Sequence, residues 1–367
     1  MIDAGPRLSV IVSTYERPDA LRVVLEAYGR STFRDFEVIV ADDGSGPETR
    51  DLVARMAKDA PYKLTHAWQP HRGFRLAAAR NLAACSAGGE VLVLTDGDCI
   101  PLPDALGIHA SRCRPGRAQA GARYSLDEAE TQRFLLGREP VAELAARAAG
   151  RRKLGLLLRR CRNLVYTVSR TKDRPKLLTA NAAVHRADFL RVNGFDERFV
   201  GWGYEDEDLA RRLRRVGVKV LDACRHSLVL HLFHPVHESH RPNARASANY
   251  RYFKTGVFLT RPLQGLEPRR VEDLSLELLG DVPEGLACLR SPAVEPPEVS
   301  LVFGLRSSLS VPPRGEVVLE GISPQSCRSP TDVHRLLAGA FESEPVSRQE
   351  SSSNPGSPGQ AAPGSER

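Results

Sequence analysis

The residues best suited to chemistry fall into a few groups, most of them acidic. Asp96-Gly97-Asp98 sets two carboxylates one residue apart, directly after the apolar run Glu90-Val-Leu-Val-Leu-Thr95. Paired oxygen donors at the end of a buried strand suit a hard divalent cation. Such a cation can bridge a diphosphate and offset the charge on a leaving nucleotide. Asp42-Asp43-Gly44-Ser45 follows a second apolar run. A carboxylate there can accept from a nucleobase imino group or a ribose hydroxyl. Either segment, taken alone, also reads as a plain Asp-Gly turn.

Three further groups stand out. Arg80, next to Asn81 on an alanine-rich helix, has a planar fork that can reach phosphate or base, or simply sit at the surface. Gly201-Trp-Gly-Tyr-Glu-Asp-Glu-Asp208 places Trp202 between glycines and then four successive carboxylates, Glu205 to Asp208. Acidic residues in a first helical turn complement the helix dipole, but four in a row exceed that need. Trp202 offers a flat platform for a sugar ring, and a carboxylate beside it can deprotonate an acceptor hydroxyl. His231, His234, His237 and His240 lie within ten residues, and a neutral imidazole among them can complete a metal shell begun by Asp98. The His-x-x-His-x-x-His spacing also allows a zinc reading.

Alternating strands and helices must carry these groups. Leu8 to Ser13, Phe36 to Ala41, Leu64 to Trp68 and Glu90 to Thr95 read as strands. Ala20 to Tyr28, Pro47 to Lys58 and Gly73 to Ala87 read as the helices between them. This rhythm predicts a mostly parallel, doubly wound α/β sheet, whose ligands bind beyond the carboxyl ends of the strands. Leu177 to Val184, carrying Asn181, reads as a further strand, followed by a short helix over Asp188 to Val192. A helix then ends at Val216, and Val218 to Leu221 and Ser227 to Leu232 read as strands. Residues 101–175 give no clear reading. After about residue 265, Pro, Ser, Gly and Glu become common. Residues 266–343 read as a small appendage or a partly disordered tail, and residues 344–367 as disordered.

Composition narrows the classes. The 367 residues are 41% hydrophobic, with a net charge of +7. No run approaches the roughly 20 apolar residues of a membrane span, and no leader is evident, so a cytoplasmic location is expected. The seven scattered cysteines include no Cys-x-x-Cys pair, which argues against a zinc knuckle. Basic residues concentrate between 151 and 174, a segment able to rest against an anionic membrane or to form a plain solvated face. No aromatic interleaving accompanies it, so nucleic acid is not an expected partner.

The order of these pieces resembles glycosyltransferase family 2, whose members have the GT-A fold, a Rossmann-like arrangement. The matching segments are Leu8–Tyr15, Phe33–Ser45, Ala79–Asn81 and Thr95–Asp98. Asn193 to Asp208 resembles the second half of the β-1,4-galactosyltransferases, the polypeptide N-acetylgalactosaminyltransferases and the bacterial chondroitin polymerases. The resemblance runs from about residue 7 to 240. It implies a GT-A domain over 1–265, with a nucleotide-binding half near 1–100 and an acceptor half near 177–265. It implies that Asp43 binds the uracil of a UDP-sugar and that Ser13 and Tyr15 line the base pocket, with Arg80 and Trp202 contributing to the nucleotide-sugar site. Asp96 would touch ribose or metal, and Asp98 with His231 (His234 the near alternative) would ligate Mn2+ or Mg2+. Glu205 and Asp206 would hold donor and acceptor, Asp206 as the base. The implied reaction inverts the anomeric centre, moving a hexose or N-acetylhexosamine to a glycan or lipid-linked acceptor, as in bacterial polysaccharide synthesis. Tyr204 stands where the galactosyltransferases have a small residue, so galactose is not carried over. The competing readings are a sugar-phosphate nucleotidyltransferase and a non-catalytic nucleotide-sugar-binding protein. The first usually needs a glycine-rich loop after the first strand, and Ser13 to Asp19 has no glycine.

Overall fold

The computed structural model describes residues 6–137, 140–147, 175–224, 227–235, 247–254, 258–289, 297–304, 313 and 315–341. The basic segment 151–174, His237, His240 and the tail 344–367 lie outside the described residues. A seven-stranded sheet forms the centre, in the order β3-β2-β1-β4-β8-β6-β9. Its strands are β1 (Leu8–Thr14), β2 (Phe36–Asp42), β3 (Lys63–Trp68), β4 (Val91–Asp96), β6 (Arg117–Ala120), β8 (Asn181–His185) and β9 (Lys219–Asp222). β1 to β4 run parallel, as the strand-helix rhythm predicts.

The sheet is buried on both faces because its strands are apolar on both. Leu8, Val10 and Val12 point into one core with Leu21, Val24 and Leu25 of helix α1 (Pro18–Gly29). Ile11, from the same strand, points into the other core with Ala77, Ala83 and Ala84 of α3 (Leu76–Cys85). That alternation is the two-residue period of a strand, and burying each such Leu, Val or Ile side chain contributes about 1.5–3 kcal/mol. Helix α2 (Pro47–Asp59), like α1, opens on a proline whose fixed φ and missing N–H suit the first turn.

Two elements differ from the sequence reading. α3 begins at Leu76 rather than Gly73. Gly73 sits at φ 80°, and the Arg75 N–H donates to Asp43 instead of entering a helical ladder. β8 is shorter than expected, and it runs antiparallel to β4 and β6. The chain before it is diverted by a turn in which the Asn181 N–H donates to the Leu178 carbonyl.

A second, three-stranded sheet caps the carboxyl end of the first, in the order β5 (Cys99–Pro101), β10 (Leu228–His231), β7 (Ala122–Ser125). The chain after 265 folds as well. β11 (Leu276–Gly280), β12 (Val299–Phe303) and β13 (Val317–Ile322) form a parallel sheet. Its core packs Leu278, Leu301 and Phe303 against Val333, Leu337 and Phe341 of the helix Pro330–Phe341. Leu259 and Leu263 join the same core, and the Arg198 guanidinium donates to the Phe341 carbonyl. Among the described residues, no helix is long and apolar enough to cross a membrane.

Candidate active site

The Asp96–Asp98 turn leaves β4 and folds tightly onto the end of β1. The Gly97 N–H donates to the Ser13 carbonyl at 2.7 Å, and a Cβ at Gly97 would come within 2.9 Å of that oxygen. β5 starts one residue after Asp98 and pairs antiparallel with β10, which sets His231 opposite Cys99. The Leu232 N–H donates to the Asp98 carbonyl and closes the register. His231 Nε2 therefore lies 3.5 Å from Asp98 Oδ1, and His234 Nε2 lies 3.4 Å from Asp98 Oδ2. One ligand atom from each of the three residues falls within 4.8 Å of the others. One carboxylate and two imidazoles at that spacing fit a divalent cation of the Mn2+ type. Burial holds the His231 imidazole below its ordinary pKa, which favours the neutral, ligating form. The same Asp98 Oδ2 receives Arg17 Nη1 at 2.6 Å.

Asp96 turns the other way. Its Oδ1 accepts from Ser13 Oγ at 2.9 Å and from Arg80 Nη2 at 2.8 Å. Arg80 is only 1% exposed, and its Nη1 lies 3.6 Å from Glu205 Oε1. α3 carries Arg80 into the core, where it bears on the site through Asp96 and Glu205. A charge so buried must be paired, and two carboxylates supply that pairing.

The loop after β2 divides its two carboxylates. Asp42 is wholly buried and builds the turn, accepting from the Gly44 and Ser45 N–H groups and facing His66 Nε2 at 2.8 Å. Asp43 accepts from Gln69 Nε2 and from the Arg75 N–H, each at 2.6 Å. Beside it, the Tyr15 ring stacks on His71 with centroids 4.5 Å apart and 13° between planes.

Ahead of Glu205, Gly201, Gly203 and Tyr204 all hold positive φ, at 85°, 93° and 74°. Glycine adopts that region freely and tyrosine does not. Tyr204 is held there by its ring, packed on Tyr250 and Phe253 of the helix Ala248–Lys254 at 5.5 and 5.4 Å. Asn249 donates to the Gly203 carbonyl at 2.9 Å, and the Gly201 N–H donates to the Phe74 carbonyl ahead of α3. The loop releases the chain into the helix Glu205–Arg215. Burial raises the Glu205 carboxyl above its usual range. Burial, then the neighbouring Glu205 and Glu207 charges, push Asp206 up to about 8. Asp208 faces inward instead. It pairs with Arg212 at 2.8 Å, and Arg212 holds the Val192 and Gly194 carbonyls, so this carboxylate serves the fold. Trp202 is 44% exposed at the rim.

Residues 9–159 match the model for glycosyl transferase family 2, and residues 160–238 match a model described as the N-terminal domain of galactosyltransferase. The two matches follow one another along the chain, so residues 9–238 are similar to glycosyltransferases of these two kinds. Validoxylamine A glucosyltransferase of Streptomyces hygroscopicus subsp. jinggangensis is 35% identical over 225 residues, 58% of this chain and 52% of that protein. Chondroitin synthase of Escherichia coli is 24% identical over 230 residues, 57% of this chain and 32% of that protein. The chain thus spans about half or less of the length of these relatives. A solved mannosyltransferase of Pyrobaculum calidifontis, in complex with GDP-Man and Mn2+, has 21% identity and a TM-score of 0.44, covering 68% of this chain and 61% of that one.

The α/β fold brings Asp98, His231 and His234 together and links Asp96 to Glu205 through Arg80. It leaves Tyr15 and Asp43 on the neighbouring β1–β2 rim, and Trp202 on the loop that leads into Glu205. The sequence reading missed Arg17, Gln69, Arg75 and His71 as partners of those groups. Pro70 and Gly73 mark the Gln69–Arg75 segment as a turn, the one signal that it returns toward Asp43.

Proposed function

We propose that the chain moves a hexose or N-acetylhexosamine from a UDP-sugar to a hydroxyl of a glycan or lipid-linked acceptor, inverting the anomeric centre with a divalent cation. The observation that carries the reading is the meeting of Asp98 and His231 at 3.5 Å, with Asp96 tied through Arg80 to Glu205. On this reading a metal grip and the Glu205–Asp206 acid pair act on the same substrate, as a direct displacement requires.

The residues divide the work. Asp98, His231 and His234 would hold Mn2+ or Mg2+, which when bound supplies positive charge against the diphosphate. Tyr15, backed by His71, offers a flat face for uracil, and Asp43 offers its remaining lone pairs to the base. Asp206, whose pKa near 8 matches a general base at mildly alkaline pH, takes the acceptor proton. The acceptor oxygen then forms its bond to the anomeric carbon as the bond to the diphosphate breaks on the opposite face. Glu205 is positioned by Arg80 to orient the donor sugar, and Trp202 offers an apolar face to the acceptor ring.

The test is UDP release from a panel of UDP-sugars with Mn2+ and oligosaccharide acceptors, with product configuration read by NMR. Release that needs Mn2+ and gives an inverted anomer supports the reading. No release with any donor, or a retained anomer, overturns it.

A further inference from the structure

Arg17 is absent from the residues assigned above, yet it reaches the centre of the site. Its Nη1 lies 2.6 Å from Asp98 Oδ2, the same oxygen that His234 faces at 3.4 Å. The contact is built in by the backbone. Glu16 sits at φ 47°, a left-handed conformation uncommon for a residue with a side chain. It is pinned on both sides of its backbone kink: its N–H donates to Ser45 Oγ at 2.9 Å, and its carboxylate accepts from the Gly46 N–H at 2.8 Å. Pro18 then starts α1, with the Leu21 N–H donating back to the Arg17 carbonyl. Between a kinked residue and a helix start, Arg17 has little freedom in where its side chain leaves the backbone. Asp98 is mostly shielded, at 12% side-chain exposure, while Arg17 keeps 37% and with it room to move.

A divalent cation drawn to Asp98 competes with the Arg17 guanidinium for that carboxylate, because two positive charges held against one oxygen repel each other. We infer that Arg17 is an exchanging cation: it holds Asp98 until a metal and a diphosphate arrive together, and then passes from Asp98 to the diphosphate. The inference rests on the functional reading above and adds a positioning residue to it. No covalent bond changes; one ion pair is replaced by two, Asp98 with the metal and Arg17 with phosphate oxygens. A diphosphate brought by the nucleotide is the anion suited to the freed guanidinium, because a planar fork accepts two phosphate oxygens at once. The consequence is coupling. Arg17 opposes metal binding alone and favours metal and nucleotide binding as a pair.

The experiment measures Mn2+ binding by the loss of the free Mn2+ EPR signal, with and without UDP, in the parent chain and in Arg17→Met and Arg17→Gln. Circular dichroism and thermal melting establish that each variant is folded. In the variants, Mn2+ alone should bind about tenfold more tightly than in the parent, and Mn2+ with UDP about tenfold more weakly. The enhancement of Mn2+ affinity by UDP, clear in the parent, should then nearly vanish. Arg17→Lys, which keeps a cation on a shorter reach, should fall between. Variants whose Mn2+ affinity equals the parent's without UDP would overturn the exchange while leaving the functional reading intact. A parent chain that binds no Mn2+ even with UDP would overturn both.

Discussion

The side chain of Asn81 and the backbone of Phe195 exchange two hydrogen bonds, each 2.9 Å long: Nδ2 donates to the Phe195 carbonyl, and the Phe195 N–H donates to Oδ1. The same Nδ2 reaches Glu197 Oε1 at 2.9 Å. One side chain thus joins α3 to the segment that leads into the acidic loop. An alanine there leaves a buried N–H and a buried carbonyl without partners, at about 1–3 kcal/mol each. Asn81→Ala should lower stability by about 2–4 kcal/mol in urea unfolding. A loss under 0.5 kcal/mol would show that the two halves are joined elsewhere.

Arg80 gives the next expectation. Replacing it with Met keeps the volume and removes the charge between Asp96 and Glu205. Buried carboxylates stripped of a partner cost about 3–5 kcal/mol, or protonate instead. Arg80→Met should lose at least about a hundredfold in kcat, with a smaller change in Mn2+ affinity, because Asp98 has its own partners. A variant with parental kcat would remove Arg80 from the mechanism.

Asp206 predicts a pH profile. As a base it must be ionised, so kcat/KM of the parent should rise with pH through about 8 and then level. Asp206→Asn should lose about two to four orders of magnitude and the rise with pH along with it. A profile flat from pH 6 to 9 would assign the base elsewhere.

The same residue has a stability consequence of definite sign. Its folded pKa of about 8 lies above the ordinary 3.8. Below pH 3.8 both states are protonated and nothing is lost. As pH rises from there to 8, the unfolded chain ionises first and the fold loses stability, with no further change above 8. Relative to the parent, Asp206→Asn should therefore gain melting temperature between pH 4 and 8, by roughly 1–2 °C per kcal/mol at this size. A gain at pH 4 equal to that at pH 8 would contradict the titration.

Asp98→Asn should weaken Mn2+ binding by at least about a hundredfold, and His231→Ala by about tenfold to a hundredfold, both measured by calorimetry with UDP present. Affinity unchanged in either variant would move the metal away from this group.

Much of residues 8–96 was legible because its strands β1, β2 and β4 are apolar on both faces. Leu8–Thr14 and Phe36–Asp42 admit one reading, and the acidic groups that follow them could be placed at one rim from the rhythm alone. The approach of His231 to Asp98 was expected from family resemblance, but the element that produces it was not visible. β5 has three residues and ends in Pro101, too short to show a period. The same holds for Arg117–Ala120 and Ala122–Ser125 in the stretch that gave no reading. The antiparallel course of β8 was hidden because a buried run does not reveal its direction. The chain after 265 looked poor in structure by composition, yet its apolar residues, spread thinly over three strands and a helix, close a core. The burial of Arg80 was not legible because a charged residue on a helix is expected outside, and only its two distant carboxylates make the interior tolerable.

Tyr204 has a consequence for how the acceptor side is tuned. Its backbone fixes where Glu205 and Asp206 begin, and its ring is wedged between Tyr250 and Phe253. The carboxylates and that distant aromatic pair therefore behave as the two arms of one lever. Substitutions that reshape the aromatic seat should retune the reaction from outside the cleft, leaving every group that meets the substrate chemically as it was.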